Sequence, residues 1–517
     1  MLARCTRRAV GIRPVRALGR RRYGSTAPLA APCSTPPSSA AVLAPLMSEL
    51  DRMAPSFDVS GDNVTILSTP AEFYATLKGR IQKAKRRIFL STLYIGRSEQ
   101  DLIAVLCEAL RRTPDLTVSI LTDALRGTRE APEASCASLL APLVAEFGAS
   151  RVEIRMYHTP NLTGLRRACV PRRINEGWGL QHMKLYGVDD EIILSGANLS
   201  TDYFTNRLDR YHLFASKQVT DHFYSLHKGV GSCSFLVEPS EQEAGFCLSW
   251  PSSNAAPSPL DDAERFIEGT TRTLQRLIAP RPGQPRDPKS DTRIYMLAQM
   301  SQVLRPDVST ELPVITRILE YLASPALGGS SWTFTAGYFN PAPALSKLLV
   351  GSAAGGANVV ITAAPEANGF YKSRGISGLL PDAYVLLARR FLRSVEAAGR
   401  APDIELKEWR RGTAGQPGGW TYHAKGLWVT LPGQAHPALS VVGSSNYTRR
   451  SYSLDLEAGA LIVTHNEGLQ RRLADEQRWL QEDARRVTME DFARAERRVG
   501  IKVRLAMWMV QLLGGAL

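Results

Sequence analysis

No apolar run in the sequence reaches the ~18 residues that read as a membrane-spanning helix, so no membrane span is expected. No GxxxxGK[ST] string occurs either, which leaves a Walker-type nucleotide site without support. The seven cysteines (Cys5, Cys33, Cys107, Cys136, Cys169, Cys233, Cys247) form no CxxC pair and are odd in number. That pattern suits reduced thiols inside a cell and speaks against a zinc site or a disulfide framework. His158 and His212 lack metal-spaced partners and read as ordinary strand or loop histidines, so neither a metal nor a cofactor is expected. Finally, the chain has no Asp or Glu before Glu49 and no Lys in its first 48 residues.

What that acid-free stretch does contain is arginine: Arg4, Arg7, Arg8, Arg13, Arg16, Arg20, Arg21 and Arg22. An Arg-rich leader with Ser and Ala, and without a continuous apolar core, has the composition of a mitochondrial presequence rather than a secretory signal. Setting those eight aside leaves 55 basic against 49 acidic residues, or +6. So small an excess gives no reason to expect a nucleic-acid partner.

A chain of 517 residues exceeds one ordinary core, so two domains or one large pseudo-symmetric unit are expected. The Pro/Ser/Ala-rich segment from Ala27 to Pro45 reads as a linker, with the folded part starting near Val64. From there the runs beginning at Val64, Arg86 and Val118 read as strands. They alternate with helices around Phe73, Leu77 and Ile81, and around Leu102, Val105, Leu106 and Ala109. The second half repeats the order. A helix with Ile315, Ile318, Leu319 and Leu322 precedes strands from Ser331 and Asn358, and a helix with Tyr384, Leu387, Ala388, Phe391 and Val395 follows. This alternation indicates an α/β sheet protein. Pro/Ser/Gly-rich segments place a boundary at 251–290, which separates modules at 60–250 and 291–490. A C-terminal helix is expected in 491–517. Its stretch from Leu505 to Leu517, preceded by Arg497, Arg498, Lys502 and Arg504, suits either a membrane interface or docking on the core.

One chemical constellation occurs twice. His182 and Lys184, like His423 and Lys425, stand two apart, which puts each pair on one face of a strand and lets both side chains act on one ligand. An asparagine follows, 16 residues after His182 (Asn198) and 23 after His423 (Asn446), the difference absorbed by the loop LPGQAHP. A carboxylate then lies 11 residues beyond each asparagine, Asp209 and Glu457.

His182-x-Lys184-x4-Asp189 followed by SGAN resembles the HxKxxxxD signature of the phospholipase D superfamily, and the second half resembles its partner motif with GSSN. Thr430 stands where the second signature would have Asp; the residues that face phosphate are present there, so the missing carboxylate is read as structural. Within the superfamily, YHAKGLW and GANLSTDYFTNRLDRY are similar to the eukaryotic mitochondrial phosphatidylglycerophosphate synthases. The resemblance implies two pseudo-symmetric phospholipase D-like modules, each a mixed β-sheet flanked by helices, with the active site at their interface. It also implies a phosphatidyl transfer from CDP-diacylglycerol to glycerol 3-phosphate, the first committed step toward phosphatidylglycerol and cardiolipin, in peripheral contact with the matrix side of the mitochondrial inner membrane.

Such chemistry needs a nucleophile, an opposed group to manage a proton, and cations for the phosphoryl oxygens. Family precedent gives attack to His182 and proton transfer to His423. Asp209 and Glu457 would fix the imidazole tautomers, while Lys184, Lys425, Asn198 and Asn446 would face phosphoryl oxygens. Asp189 is expected to hold its motif by hydrogen bonding. The acceptor's phosphate calls for an arginine clamp, with Arg207, Arg449 and Arg450 nearest the motifs and Arg374 a further candidate. A phosphodiesterase hydrolysing phospholipid or nucleic acid would need the same residues with water as acceptor. A non-catalytic membrane-binding relative is suggested by Thr430 alone, and the two retained His-Lys pairs argue against it.

Overall fold

The computed structural model describes residues 39–172, 174–281, 286–352 and 356–512. The arginine-rich part of the expected presequence, and the last five residues of the C-terminal stretch, lie outside them.

Two nine-stranded mixed sheets carry the molecule. Seven strands of the first run in the order Val64–Leu67, Tyr211–Ala215, Glu191–Ser195, Leu185–Val188, Arg87–Ser91, Thr117–Asp123, Val152–Tyr157. The second repeats that order with Thr292–Gln299, Glu457–Thr464, Leu439–Gly443, Lys425–Thr430, Ser331–Ala336, Asn358–Ala363, Ile404–Trp409. In both, the central strand pairs parallel on one side and antiparallel on the other. The repeat read from the motifs is therefore a repeat of topology.

The sheets share one core. Phe89, Leu185 and Leu194 of the first pack in the same cluster as Met296, Trp428 and Ile462 of the second. Helices cover the outer faces. Pro70–Gln82 starts on Thr69, whose hydroxyl accepts from the Glu72 amide, and buries Phe73, Leu77 and Ile81 at helical spacing. Its counterpart outer layer, with Ile315, Ile318 and Leu319, lies over the second sheet.

Two stretches depart from the expected boundaries. Ser39–Leu50, half of it expected to be linker, is helical, and Leu43, Leu46, Met47 and Leu50 are buried in the second half's outer core. Pro and Ala suggested a spacer, but four apolar side chains at helical spacing find a face to cover. The strand Ser56–Val59 follows and adds to the edge of Thr292–Gln299, so the first strand of the described residues belongs to the second sheet. Likewise, the region 251–290 contains the helix Ala263–Ile278, capped by Asp262, which buries Phe266, Leu274 and Ile278 in the shared core.

Arg210 and His212, on the first sheet, meet Glu476 on the second half's helix Glu467–Trp479. Arg210 donates to both Glu476 oxygens at 2.9 and 2.8 Å, to Ser440 Oγ at 2.8 Å and to the Val441 carbonyl at 2.6 Å, and lies over the Trp428 ring. Burial would raise the Glu476 pKa, yet Arg210 and His212 hold it down at about 2. His212 is thus a structural histidine that ties the halves together.

Candidate active site

The motif strands are joined across the halves before any side chain is considered. The His182 amide donates to the Leu456 carbonyl at 2.9 Å, and the Leu456 amide to the Leu180 carbonyl at 2.8 Å. On the other side, Thr421–Tyr422 pairs parallel with Arg207–Leu208, and the His423 amide donates to the Leu208 carbonyl at 2.8 Å. Each histidine therefore lies beside the strand that carries the other half's carboxylate.

The side chains follow that register. His182 Nδ1 is 2.9 Å from both oxygens of Glu457, whose Oε2 also accepts from Ser444. His423 Nδ1 is 2.6 Å from Asp209 Oδ2. A carboxylate at Nδ1 holds the proton there and leaves the lone pair of a neutral ring on Nε2, which in His423 also stands 3.3 Å from Lys425 Nζ and 3.4 Å from the Tyr203 hydroxyl. Both histidines titrate well below their usual range, because burial disfavours the imidazolium and the neighbouring lysines repel it.

The lysines differ. Lys184 Nζ donates to its neighbour's carbonyl, His182 O, at 2.7 Å, whereas Lys425 Nζ reaches Asp209 Oδ2 at 3.3 Å and stands 2.7 Å from His423 Nδ1. Burial pushes Lys184 down to about 7 and Lys425 in the same direction. It also pushes Glu457 up to about 7, whereas at Asp209 the burial penalty is outweighed by Lys425 and His423, which keep that carboxyl below its ordinary value. The His423 half-site thus holds a firm carboxylate, and the His182 half-site a carboxyl near its midpoint at neutral pH. Gly196 makes the close approach possible: a Cβ there would stand 2.6 Å from Lys425 Nζ and 2.7 Å from Asp209 Oδ1.

Both histidines line one cavity of ≈ 380 Å³, together with Asn198, Asn446, Arg207 and Arg450. The side-chain oxygens of Asn198 and Asn446 are buried there without a hydrogen-bond partner, an unsatisfied state that a donor on a bound ligand, such as a hydroxyl, would relieve. Arg207 pairs with Asp202 at 2.9 Å and Arg450 with Asp455 at 3.1 Å.

Three expected residues lie elsewhere. Asp189 sits at the hairpin turn beyond Leu185–Val188, where it accepts from the Lys85, Arg86 and Arg87 amides at 2.8–3.1 Å. Its position in the signature reflects that role, which is to clamp the start of the central strand. In the second half the start of the central strand is held from its parallel neighbour instead, where Asn358 accepts from the Trp332 amide at 3.0 Å. Arg449 is exposed on Arg449–Ser453, and Arg374 is exposed ahead of Gly375–Leu379; neither lines the cavity.

Sequence reasoning missed several lining residues. Tyr203 and Tyr338 stand edge-on to the His423 ring at 5.2 and 5.3 Å, and Tyr384, Arg126, Arg129 and Asp455 complete the walls. Tyr203 lay inside the motif segment and Tyr338 just past its strand, but aromatics so placed read as core. Among the described residues, no group of three His, Cys, Asp or Glu side chains is arranged to hold a metal ion.

No family model matches the chain. It is 42% identical over 461 residues to the CDP-diacylglycerol–glycerol-3-phosphate 3-phosphatidyltransferase of Saccharomyces pastorianus, covering 87% of this chain and 88% of that one. The mitochondrial protein of the same name from Mus musculus is 35% identical over 491 residues, covering 89% and 85%. Among solved structures, phosphatidylserine synthase of Haemophilus influenzae Rd KW20 shares the fold with a TM-score of 0.68 at 17% identity, over 91% of this chain and 97% of that one.

Proposed function

The chain belongs to the CDP-diacylglycerol–glycerol-3-phosphate 3-phosphatidyltransferases and so makes phosphatidylglycerophosphate and CMP from CDP-diacylglycerol and glycerol 3-phosphate, and we propose that it does so through a phosphohistidine on His182. The observation that carries this reading is the exchanged pairing of each imidazole with the other half's carboxylate at a single cavity. In the first step His182 Nε2 attacks the phosphorus bearing diacylglycerol, and the bond to CMP breaks. CMP leaves as an anion that needs little acid assistance. In the second step His423 Nε2 takes the proton of the acceptor hydroxyl as that oxygen attacks, the N–P bond breaks, and His182 returns to its neutral state.

The unequal carboxylates support this division. Asp209 stays ionised and stabilises the imidazolium that a base becomes, which suits His423 to proton transfer. Lys184, Lys425 and the Nδ2 amides of Asn198 and Asn446 would donate to the phosphoryl oxygens, and Arg207 and Arg450 would hold the acceptor's phosphate. The transferase names of the relatives leave hydrolysis without a specific observation in its favour.

The protein is mitochondrial, as its relatives' names have it, and its place on the matrix side of the inner membrane is part of the proposal. A cavity of ≈ 380 Å³ suits headgroup atoms and would leave two acyl chains outside, which supports placing a lipid surface at its mouth. The helix Ile501–Leu512 supplies one contact. Val503 and Met507 dock it on Ala383, while Ile501 and Leu505 remain 74% and 54% exposed beside exposed Lys502 and Arg504. One face of this helix thus docks on the protein, and the other is the face assigned to lipid in this proposal; no helix among the described residues is long and apolar enough to cross a membrane.

The test is acid quenching of enzyme mixed with CDP-diacylglycerol alone. An acid-labile phosphatidyl adduct on His182, absent from His182→Ala and present in His423→Ala, is expected. An adduct on His423 would reverse the assignment, and CMP release unaffected by glycerol 3-phosphate would favour water as acceptor.

A further inference from the structure

A second exposed apolar and basic element adjoins the cavity. The short helix Gly164–Cys169 buries none of its residues, and Leu165 is 84% exposed. Ile174, five residues beyond the helix, is 46% exposed. Arg166, Arg167 and Arg172 are exposed in the same stretch of chain, and none forms an ion pair with a described carboxylate, although the cavity arginines Arg126, Arg207 and Arg450 each do. Arg172 instead donates to the Ala131 carbonyl at 2.9 Å, fastening the element to the segment after Arg129. Glu176, two residues beyond Ile174, pairs with Arg129, and both line the cavity.

The stretch combines two exposed apolar side chains with three arginines that have no carboxylate partner among the described residues. Apolar side chains gain by entering acyl chains only where neighbouring cations meet anionic headgroups, and that combination is what binds an interface. We infer that the helix Gly164–Cys169, with Arg172 and Ile174, forms a second lipid-surface contact, specific for bilayers with anionic headgroups, which holds the cavity mouth against the membrane. The inference rests on the phosphatidyltransferase reading only for its purpose. With Ile501–Leu512 mounted on Leu380–Ala397, whose Leu380 and Tyr384 line the cavity, two separate walls each carry an anchor. Two anchors set an orientation, where one would allow the molecule to swivel.

The experiment uses the full chain with two vesicle types, pure phosphatidylcholine and phosphatidylcholine containing about one-third anionic phosphatidylglycerol. Leu165→Glu combined with Ile174→Glu should weaken binding to the anionic vesicles about tenfold or more and lower turnover of vesicle-borne CDP-diacylglycerol. Turnover of the same lipid in detergent micelles should be unchanged. Arg166→Ala with Arg167→Ala, which alters no packed side chain, should weaken anionic-vesicle binding and flatten its salt dependence. Anionic-vesicle binding unchanged in either folded variant, or equal binding of the wild type to neutral vesicles, would overturn the inference. Wild-type protein that binds anionic vesicles but releases no CMP in micelles would refute the enzymatic reading and leave the surface intact.

Discussion

His182 and Glu457 are separated by 275 residues, yet Nδ1 of one lies 2.9 Å from both oxygens of the other, and His423 and Asp209 repeat the relationship at 2.6 Å. Neither half contains a complete imidazole–carboxylate pair. The catalytic unit arises only where the two chain segments run side by side.

Removing a carboxylate from such a pair should act on turnover. Asp209→Asn cannot accept the Nδ1 proton as a charge, so kcat should fall about 10²- to 10⁴-fold while KM for CDP-diacylglycerol changes little. Steady-state kinetics on folded protein check this. A pure KM effect would mean that Asp209 only shapes the cavity.

The pH dependence should be narrow. Glu457 must be ionised to accept the His182 proton, which holds above its pKa of about 7. Lys184 must be charged, which holds below its pKa of about 7. The limbs meet near neutrality, so kcat/KM should trace a bell whose apparent pKa values belong to the coupled pair. Glu457→Gln should lose the acid limb and keep the alkaline one; an unchanged acid limb would point to another group.

Arg207→Ala and Arg450→Ala should each raise KM for glycerol 3-phosphate about 10- to 100-fold, the equivalent of a charge-assisted hydrogen bond at ~1.5–3 kcal/mol. Arg449→Ala, at an exposed position outside the cavity, should stay within about twofold of wild type. Equal effects at Arg449 and Arg450 would move the acceptor site.

Gly196→Ala places a methyl 2.6 Å from Lys425 Nζ and 2.7 Å from Asp209 Oδ1, so the pair must part. Activity should fall at least tenfold with a modest change in melting temperature. Wild-type activity would show that the cavity absorbs the methyl.

The buried Arg210–Glu476–His212 cluster predicts a stability profile. Glu476 sits at about 2 against an ordinary 4.5, so its folded pKa is depressed. It contributes roughly 3 kcal/mol, fully present above about pH 4.5 and lost as pH falls toward 2. Glu476→Gln should therefore lower urea stability by about 3–5 kcal/mol at neutral pH, with a gap that narrows below about pH 4. A gap independent of pH would assign the loss to packing.

Much of the site was legible because its residues are local in sequence. The offset of 11 from asparagine to carboxylate marks the two places, after Leu208 and after Leu456, where the chain crosses to its other half. The exchange itself was not legible, since no spacing says which strand a histidine lies beside. Asp189 shows the opposite case: read as holding its motif by hydrogen bonding, it does so at the far end of the strand, away from the cavity. Periodicity read the sheet strands and outer helices well, but composition hid Ser39–Leu50, where Pro45 and the alanines outweighed four leucine and methionine positions.

Because Ser56–Val59 borders Thr292–Gln299, the first strand of the described residues finds its seat only after the ribosome has passed the molecule's midpoint. A fragment ending near residue 290 would leave that strand bare and keep His182 and Asp209 without Glu457 and His423. Severed at the middle, the gene would encode two inert products, and only their reunion would restore an enzyme.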